Sequence, residues 1–106
     1  MTVTESDSST TTTVRLIPVF QAMPGFEDEL AMLLADLQEA SRLDAGCVEY
    51  AVFTSGESSD TFVLYEEWTS SAALAAHNEQ KHVKDFLAAA KPILARELKV
   101  YRSASR

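Results

Sequence analysis

The order of strand-like and helix-like segments constrains the fold of this chain more than any other feature of its sequence. Alternating apolar and polar residues predict β-strands over residues 14–23, 47–53, 61–68 and 98–103, and helical spacing predicts helices over residues 26–42 and 72–94, the latter broken near Asn78. This βαββαβ order predicts a ferredoxin-like α+β fold, in which the helices pack on one face of a four-stranded antiparallel sheet.

Prolines and small polar residues mark where these elements bend or end. Pro18 lies inside the first strand, and because proline cannot donate a ladder hydrogen bond, it predicts an edge strand or a bulge. Residues 24–25, Pro-Gly, end that strand, and residues 69–71 offer an N-cap for the second helical stretch. Pro92 should end or kink this stretch.

The second face of the predicted sheet is unusually apolar. In the third strand, Phe62, Leu64 and Trp68 share one face, while Val63 and Tyr65 share the other. A face open to water should be polar at alternate positions, so this face needs a cover that the chain itself does not supply. A second copy is the simplest cover, and we expect a homodimer of the dimeric α/β barrel type with an apolar cavity.

Charge and composition exclude several classes of function. The net charge is −7, and the nine basic residues form no stripe or block, so neither nucleic acid nor an anionic membrane is an expected partner. No apolar run approaches the roughly 20 residues of a membrane span. The single cysteine, Cys47, permits no intramolecular disulfide and fits a cytoplasmic location. Residues 1–13 are Ser/Thr-rich and read as a flexible tail before one domain over residues 14–106.

Several short motifs carry a resemblance to a known family. They are Pro24-Gly25-x-Glu27-x-Glu29-Leu30, Asp44-Ala45-Gly46-Cys47-x-x-Tyr50, Phe62-x-x-Tyr65-Glu66-x-Trp68, Leu74-x-x-His77 and His82-x-x-x-Phe86. In order and spacing, this set resembles the antibiotic biosynthesis monooxygenase family, including its quinol monooxygenases. The resemblance spans nearly the whole of residues 14–104.

The resemblance implies a dimer of ferredoxin-like domains, each with a pocket between sheet and helices. It also implies oxidation of an electron-rich phenol, quinol or polyketide-type aromatic by molecular oxygen, with no metal and no other cofactor. Haem-degrading enzymes of the same fold use an Asn, a Trp and a His at positions where this chain has Pro18, His77 and Phe86 or Leu87. These departures argue against haem degradation.

The candidate acid/base group is His77, because the pKa of a histidine lies near neutrality. Alternatively, His77 has a structural role and forms a hydrogen bond or caps the helix near its break. The candidate substrate-binding residues are Trp68, Tyr65, Phe86, Glu66, Asn78 and Tyr50. Trp68 could stack on an aromatic substrate or simply fill the core. Glu66 lies among apolar neighbours and, if buried, needs a partner such as an arginine or a backbone donor.

A metal site is not expected. His82 follows His77 by five residues, which is about 140° around a continuous helix and poor for a shared ion. Adding Glu66 would give a set of two histidines and one carboxylate, but nothing in the sequence fixes the geometry of these three residues.

Two other functions remain open at this point. One is a non-catalytic dimer that binds a small aromatic or serves as a stress-related interaction module. The other is an isomerase or cyclase, which needs the base but no oxygen. A cavity lined by titratable groups such as His77 and Glu66 favours an enzyme, whereas a purely apolar lining favours a binder.

Overall fold

The computed structural model describes residues 12–55 and 59–103. The predicted tail lies outside these residues, except for residues 12 and 13. The strands are β1 (Val14–Gln21), β2 (Cys47–Thr54), β3 (Thr61–Trp68) and β4 (Lys99–Arg102). The helices are α1 (Glu27–Ser41), α2 (Ser71–Asn78) and α3 (Lys81–Ala90), and a short 3₁₀ helix, Lys91–Ile93, follows α3.

The strands form one antiparallel sheet in the order β2-β3-β1-β4. Alternate residues of β1 and β3 are buried beneath the helices, as the pattern of buried and partly exposed positions shows. The ferredoxin-like fold predicted from the segment order is therefore confirmed. None of the helices in residues 12–55 and 59–103 combines the length and apolarity that a membrane span requires.

The helices form where local chemistry favours them. Glu27, Asp28 and Glu29 occupy the first turn of α1, where the helix dipole stabilises negative charge. At the start of α2, the Ser70 hydroxyl accepts a hydrogen bond from the backbone N–H of Ala73 at 3.1 Å. The predicted break in the second helical stretch lies at residues 79–80, between α2 and α3.

Pro18 does not mark an edge strand, and the expectation of an edge or a bulge there was wrong. β1 is an inner strand between β3 and β4, and Pro18 pairs with Val100 of β4. On the β3 side, the pairing runs over residues 14–16 and 19–21 in one register. The inner strand tolerates this proline because β1 pairs with β3 in the same register on both sides of it. The proline removes one backbone donor, and the effect on the ladder is local.

Gly46 lies at the junction that brings α2 against β2. Its φ is +85°, and a Cβ there would clash with the side chain of Ala73 and lie 2.9 Å from Thr69 Oγ1. We expect Gly46→Ala to lower the free energy of unfolding by about 2–4 kcal/mol, because backbone strain adds to the clash. Urea denaturation measures this.

Gly25→Ala is the matched control for that substitution. Gly25 has a φ of +90°, but a Cβ there meets nothing within 4 Å. It should therefore show only the conformational cost of about 1–2 kcal/mol. Equal losses in the two variants would contradict the close packing of α2 at Gly46.

The sheet face away from the helices carries a set of apolar and aromatic side chains, which we call the open face. Its members are Ile17, Val19, Ala51, Phe53, Val63, Tyr65 and Tyr101. Ile17, Phe53 and Tyr101 are 40%, 56% and 55% exposed. An ion pair between Arg15 and Glu67 (3.7 Å) lies on the same face.

Candidate functional site

A cavity of about 250 Å³ lies between the helices and the covered face of the sheet. Most of its wall is apolar and comes from β1, β3, β4 and the helices. Its polar wall residues are Tyr50, Glu66, His77, Asn78 and Arg102. Such a cavity, apolar with a few convergent polar groups, is the usual form of a small-molecule site.

His77 lies near the C-terminal end of α2 and is 3% exposed. Its Nδ1 lies 2.8 Å from Asp44 Oδ2. A carboxylate oxygen can only accept, so Nδ1 carries the hydrogen, and in the neutral ring Nε2 keeps a lone pair. The ring of Trp68 packs against His77 with centroids 4.3 Å apart and planes 35° apart. His77 is thus held in one tautomer and one orientation.

Burial lowers the pKa of His77 below its ordinary value, because the charged ring would lose its hydration. The hydrogen bond and the charge of Asp44 oppose this effect, and the nearby His82 adds to it. The neutral ring is therefore the favoured form at neutral pH, and it is the form that can accept a proton.

Glu66 lies on β3 and is 6% exposed. Its partner is neither an arginine nor a backbone donor: Trp68 Nε1, two residues along the same strand, donates to Glu66 Oε1 at 2.9 Å. Burial raises the pKa of Glu66, and this hydrogen bond only partly opposes the rise. Glu66 Oε1 lies 4.0 Å from His77 Nε2.

Three further candidates also line the cavity. Tyr50 is buried with its ring 5.5 Å from that of His77, and burial raises its pKa above the ordinary value, so the hydroxyl remains a donor. Asn78 follows His77 on the wall. Phe86 of α3 packs edge-on against Phe20 with centroids 5.6 Å apart.

Two candidates lie elsewhere. Because strand side chains alternate between faces, Tyr65 lies on the open face, where its hydroxyl donates to Glu67 at 3.0 Å. It does not share the cavity with the other candidates. Trp68 is fully buried behind His77 and positions both His77 and Glu66 without lining the cavity.

Asp44 is the residue that sequence reasoning missed. It follows α1, and it was not among the candidate site residues predicted from the sequence. Its Oδ2 accepts from His77 and lies 2.9 Å from His82 Nε2. The available signal was its place in the motif over residues 44–50.

His82 joins the cluster because the helix is broken. α2 ends at Asn78 and α3 begins at Lys81, so the 140° separation expected on a continuous helix does not apply. The turn brings the two rings to a centroid distance of 6.1 Å, with Asp44 between them.

Among the described residues, Asp44, His77 and His82 form the group whose ligand atoms could hold a metal ion, with all three atoms within 4.8 Å of one another. The carboxylate of this set is Asp44 rather than Glu66. Tetrahedral zinc with bonds of about 2.0–2.1 Å places its nitrogen and oxygen ligands about 3.3 Å apart. The distances of 2.8 and 2.9 Å to Asp44 Oδ2 are those of direct hydrogen bonds.

Comparison with known proteins gives consistent results. The family model described as antibiotic biosynthesis monooxygenase matches residues 13–89. A Bacillus subtilis protein named "Putative monooxygenase YcnE" is 32% identical over 80 residues, which is 76% of this chain and 84% of that protein.

Two solved structures share the fold over nearly their whole length. PA3566 from Pseudomonas aeruginosa has a TM-score of 0.84 and 28% identity, covering 92% of this chain and 97% of that one. Rv0793 from Mycobacterium tuberculosis has a TM-score of 0.84 and 26% identity, covering 90% of this chain and 96% of that one.

Proposed function

The chain belongs to the antibiotic biosynthesis monooxygenase family, and we propose that it oxidises an electron-rich aromatic hydroxyl compound with molecular oxygen and without a cofactor. The substrate class is a quinol, a phenol or a polyketide-type aromatic. One observation carries this proposal: a neutral His77, held by Asp44, turns its Nε2 toward a cavity that Glu66 also lines.

The spacing of these two groups suits an aromatic hydroxyl. His77 Nε2 and Glu66 Oε1 are 4.0 Å apart. A substrate oxygen can therefore lie about 2.9 Å from both atoms at once, which is an ordinary hydrogen-bond distance. In that position, the hydroxyl gives its proton to His77. Burial raises the pKa of Glu66, and when it is protonated this carboxyl group can donate a hydrogen bond to the resulting phenolate.

The phenolate supplies the electrons for the reaction. Oxygen forms a C–O bond at a ring carbon ortho or para to the phenolate, and the proton held on His77 converts the adduct to a hydroperoxide. Loss of water then breaks the O–O bond and the C–H bond at that carbon and leaves a carbonyl. One oxygen atom enters the product and the other becomes water, and no external reductant is needed. The apolar wall keeps bulk water from the anion.

The lining of the cavity favours an enzyme over a simple binding module. A binder of small aromatics needs only an apolar wall, whereas this cavity places two titratable groups, His77 and Glu66, on one part of its surface. Both have pKa values displaced by burial, which is common at functional sites. An isomerase or cyclase would use the same base but consume no oxygen.

Oxygen uptake by metal-stripped protein tests the proposal. Hydroquinones and hydroxynaphthalenes form the panel, and the autoxidation rate of each is the baseline. The proposal predicts uptake above that baseline with at least one compound. Tight binding without uptake would favour the binding module, and conversion without uptake would favour the isomerase. Uptake that appears only when a divalent metal is restored would contradict cofactor independence.

We also propose that the chain forms a homodimer through the open face, because nothing else in the described residues covers it. Ile17→Lys would put an unpaired charge at the centre of that interface and should weaken dimerisation by about 100-fold or more. Sedimentation equilibrium measures this. Leu43→Lys is the control, since Leu43 is 87% exposed and lies outside the open face. An unchanged dimer in Ile17→Lys would contradict the proposed interface.

A further inference from the structure

The last part of the described chain contains a group of basic residues that form no ion pair with the described residues. Three basic residues of the described chain form ion pairs: Arg15 with Glu67, Lys81 with Asp85, and Lys84 with Glu79. Arg42 forms none, but its side chain donates a hydrogen bond to the Tyr50 carbonyl inside the domain. The other four lie together in residues 91–102 and form no ion pair with the described residues. They are Lys91, Arg96, Lys99 and Arg102.

Three of these four cations line one of two adjoining cavities. Arg102 lines the cavity of about 250 Å³ that His77 and Glu66 also line. Lys91 and Arg96 line a second cavity of about 570 Å³, which shares Phe20, Leu87 and Leu98 with the first. The two cavities therefore adjoin at these three apolar side chains.

Three basic side chains and two carboxylates line the two cavities together. The second cavity has one carboxylate, Glu97, against Lys91 and Arg96. In the first cavity, burial favours the neutral form of Glu66. Arg102 donates to Ser71 Oγ at 3.3 Å, and its other guanidinium N–H groups are free to bind an anion. The chain as a whole has a net charge of −7, yet Glu97 is the one carboxylate among the described residues that line the cavity with Lys91 and Arg96.

We infer that the substrate carries an acidic group, such as a carboxylate, and that Arg96 and Lys91 bind this group while the aromatic hydroxyl lies between His77 and Glu66. The placement of the hydroxyl rests on the proposed function. The charge requirement does not, because it concerns binding alone.

Paired probes separate charge from shape. A hydroxynaphthoic acid and its neutral carboxamide have the same rings and hydroxyl, and their dissociation constants are measured by calorimetry under nitrogen, so that no turnover occurs. We expect the acid to bind about tenfold more tightly, the order of magnitude of a charge-assisted hydrogen bond. The difference should shrink in Arg96→Gln and in Lys91→Gln, and in raised salt.

Lys84→Gln is the matched control. It removes the same charge from an exposed position on α3 that lines neither cavity, and it should keep the preference for the acid. Equal binding of acid and carboxamide by the wild-type protein would overturn the inference. So would a preference that survives both Arg96→Gln and Lys91→Gln together.

Admitting oxygen afterwards distinguishes this inference from the proposed function. If the acid binds preferentially but no oxygen is consumed, the result supports the anion site and contradicts the proposed oxygenase function. If oxygen is consumed equally with acid and carboxamide, and their affinities are equal, the oxygenase stands and the anion site is overturned.

Discussion

Replacing His77 with glutamine should lower kcat/KM for oxygen uptake by about 10²-fold or more, because a positioned base contributes about 10²–10⁴-fold. Glutamine is of similar length, and its amide can still donate to Asp44, so the buried carboxylate keeps a partner. It cannot take the proton of the substrate hydroxyl. Substrate affinity under nitrogen should change little, since the apolar wall supplies most of the contact.

His82→Gln is the control for the loss of a histidine. His82 bonds to the same oxygen of Asp44, but it does not line the cavity that His77 lines. We expect a much smaller loss of kcat/KM. Equal losses in the two variants, or full uptake in His77→Gln, would remove His77 from the role of base.

The pH dependence follows from the same residue. Burial lowers the pKa of His77 below 6.5, so the neutral, proton-accepting ring is present throughout the neutral range. The rate constant kcat/KM should stay level near pH 7 and fall only as acid protonates Nε2, at a pH below the ordinary value. Stability should decline in the same direction, because the unfolded chain takes up the proton more readily than the folded one.

Asp44→Asn has the second largest expected effect, a loss of about 10²-fold or more in kcat/KM. Asparagine can present an amide N–H to Nδ1, which would move the hydrogen of His77 to Nε2 and remove the lone pair from the cavity. A positioning residue of this kind acts through the tautomer of its histidine.

A shift in the pH profile distinguishes this role from a merely structural one. Asp44 raises the pKa of His77 by hydrogen bond and charge. Its replacement should therefore move the acid limb of the remaining activity to lower pH. Asp36→Asn, at an exposed position of α1 that does not line the cavity of His77, is the control. It should leave both kcat/KM and the acid limb of its pH profile unchanged. Wild-type kcat/KM in Asp44→Asn would contradict the proposed role.

The fold could be predicted from the sequence because each strand carries its own alternation and each helix its own apolar spacing. β3 was predicted with its observed limits, Thr61–Trp68, and the same alternation places Tyr65 on the face opposite Glu66. Pro18 was misplaced because proline excludes one ladder bond but does not fix the order of strands. That order depends on contacts between distant segments.

The site was harder to predict because its key contacts join distant parts of the chain. Asp44 and His77 are 33 residues apart, and no local pattern pairs them. The approach of His82 depends on the turn between α2 and α3, whose direction the sequence does not show. The four cations without an ion pair were missed for a similar reason. They are spread over residues 91–102 without forming a run, and the structure is needed to show that Arg15, Lys81 and Lys84 form ion pairs while they do not.

The most direct test of the central claim is a turnover under isotopically labelled molecular oxygen, with metal-stripped protein, a responsive aromatic substrate and no added reductant. The account predicts that each product molecule gains one labelled oxygen atom, that the other labelled atom appears in water, and that oxygen and substrate are consumed in equal amounts. Unlabelled product with oxygen reduced to hydrogen peroxide, or a reaction that requires a metal or a reductant, would contradict it.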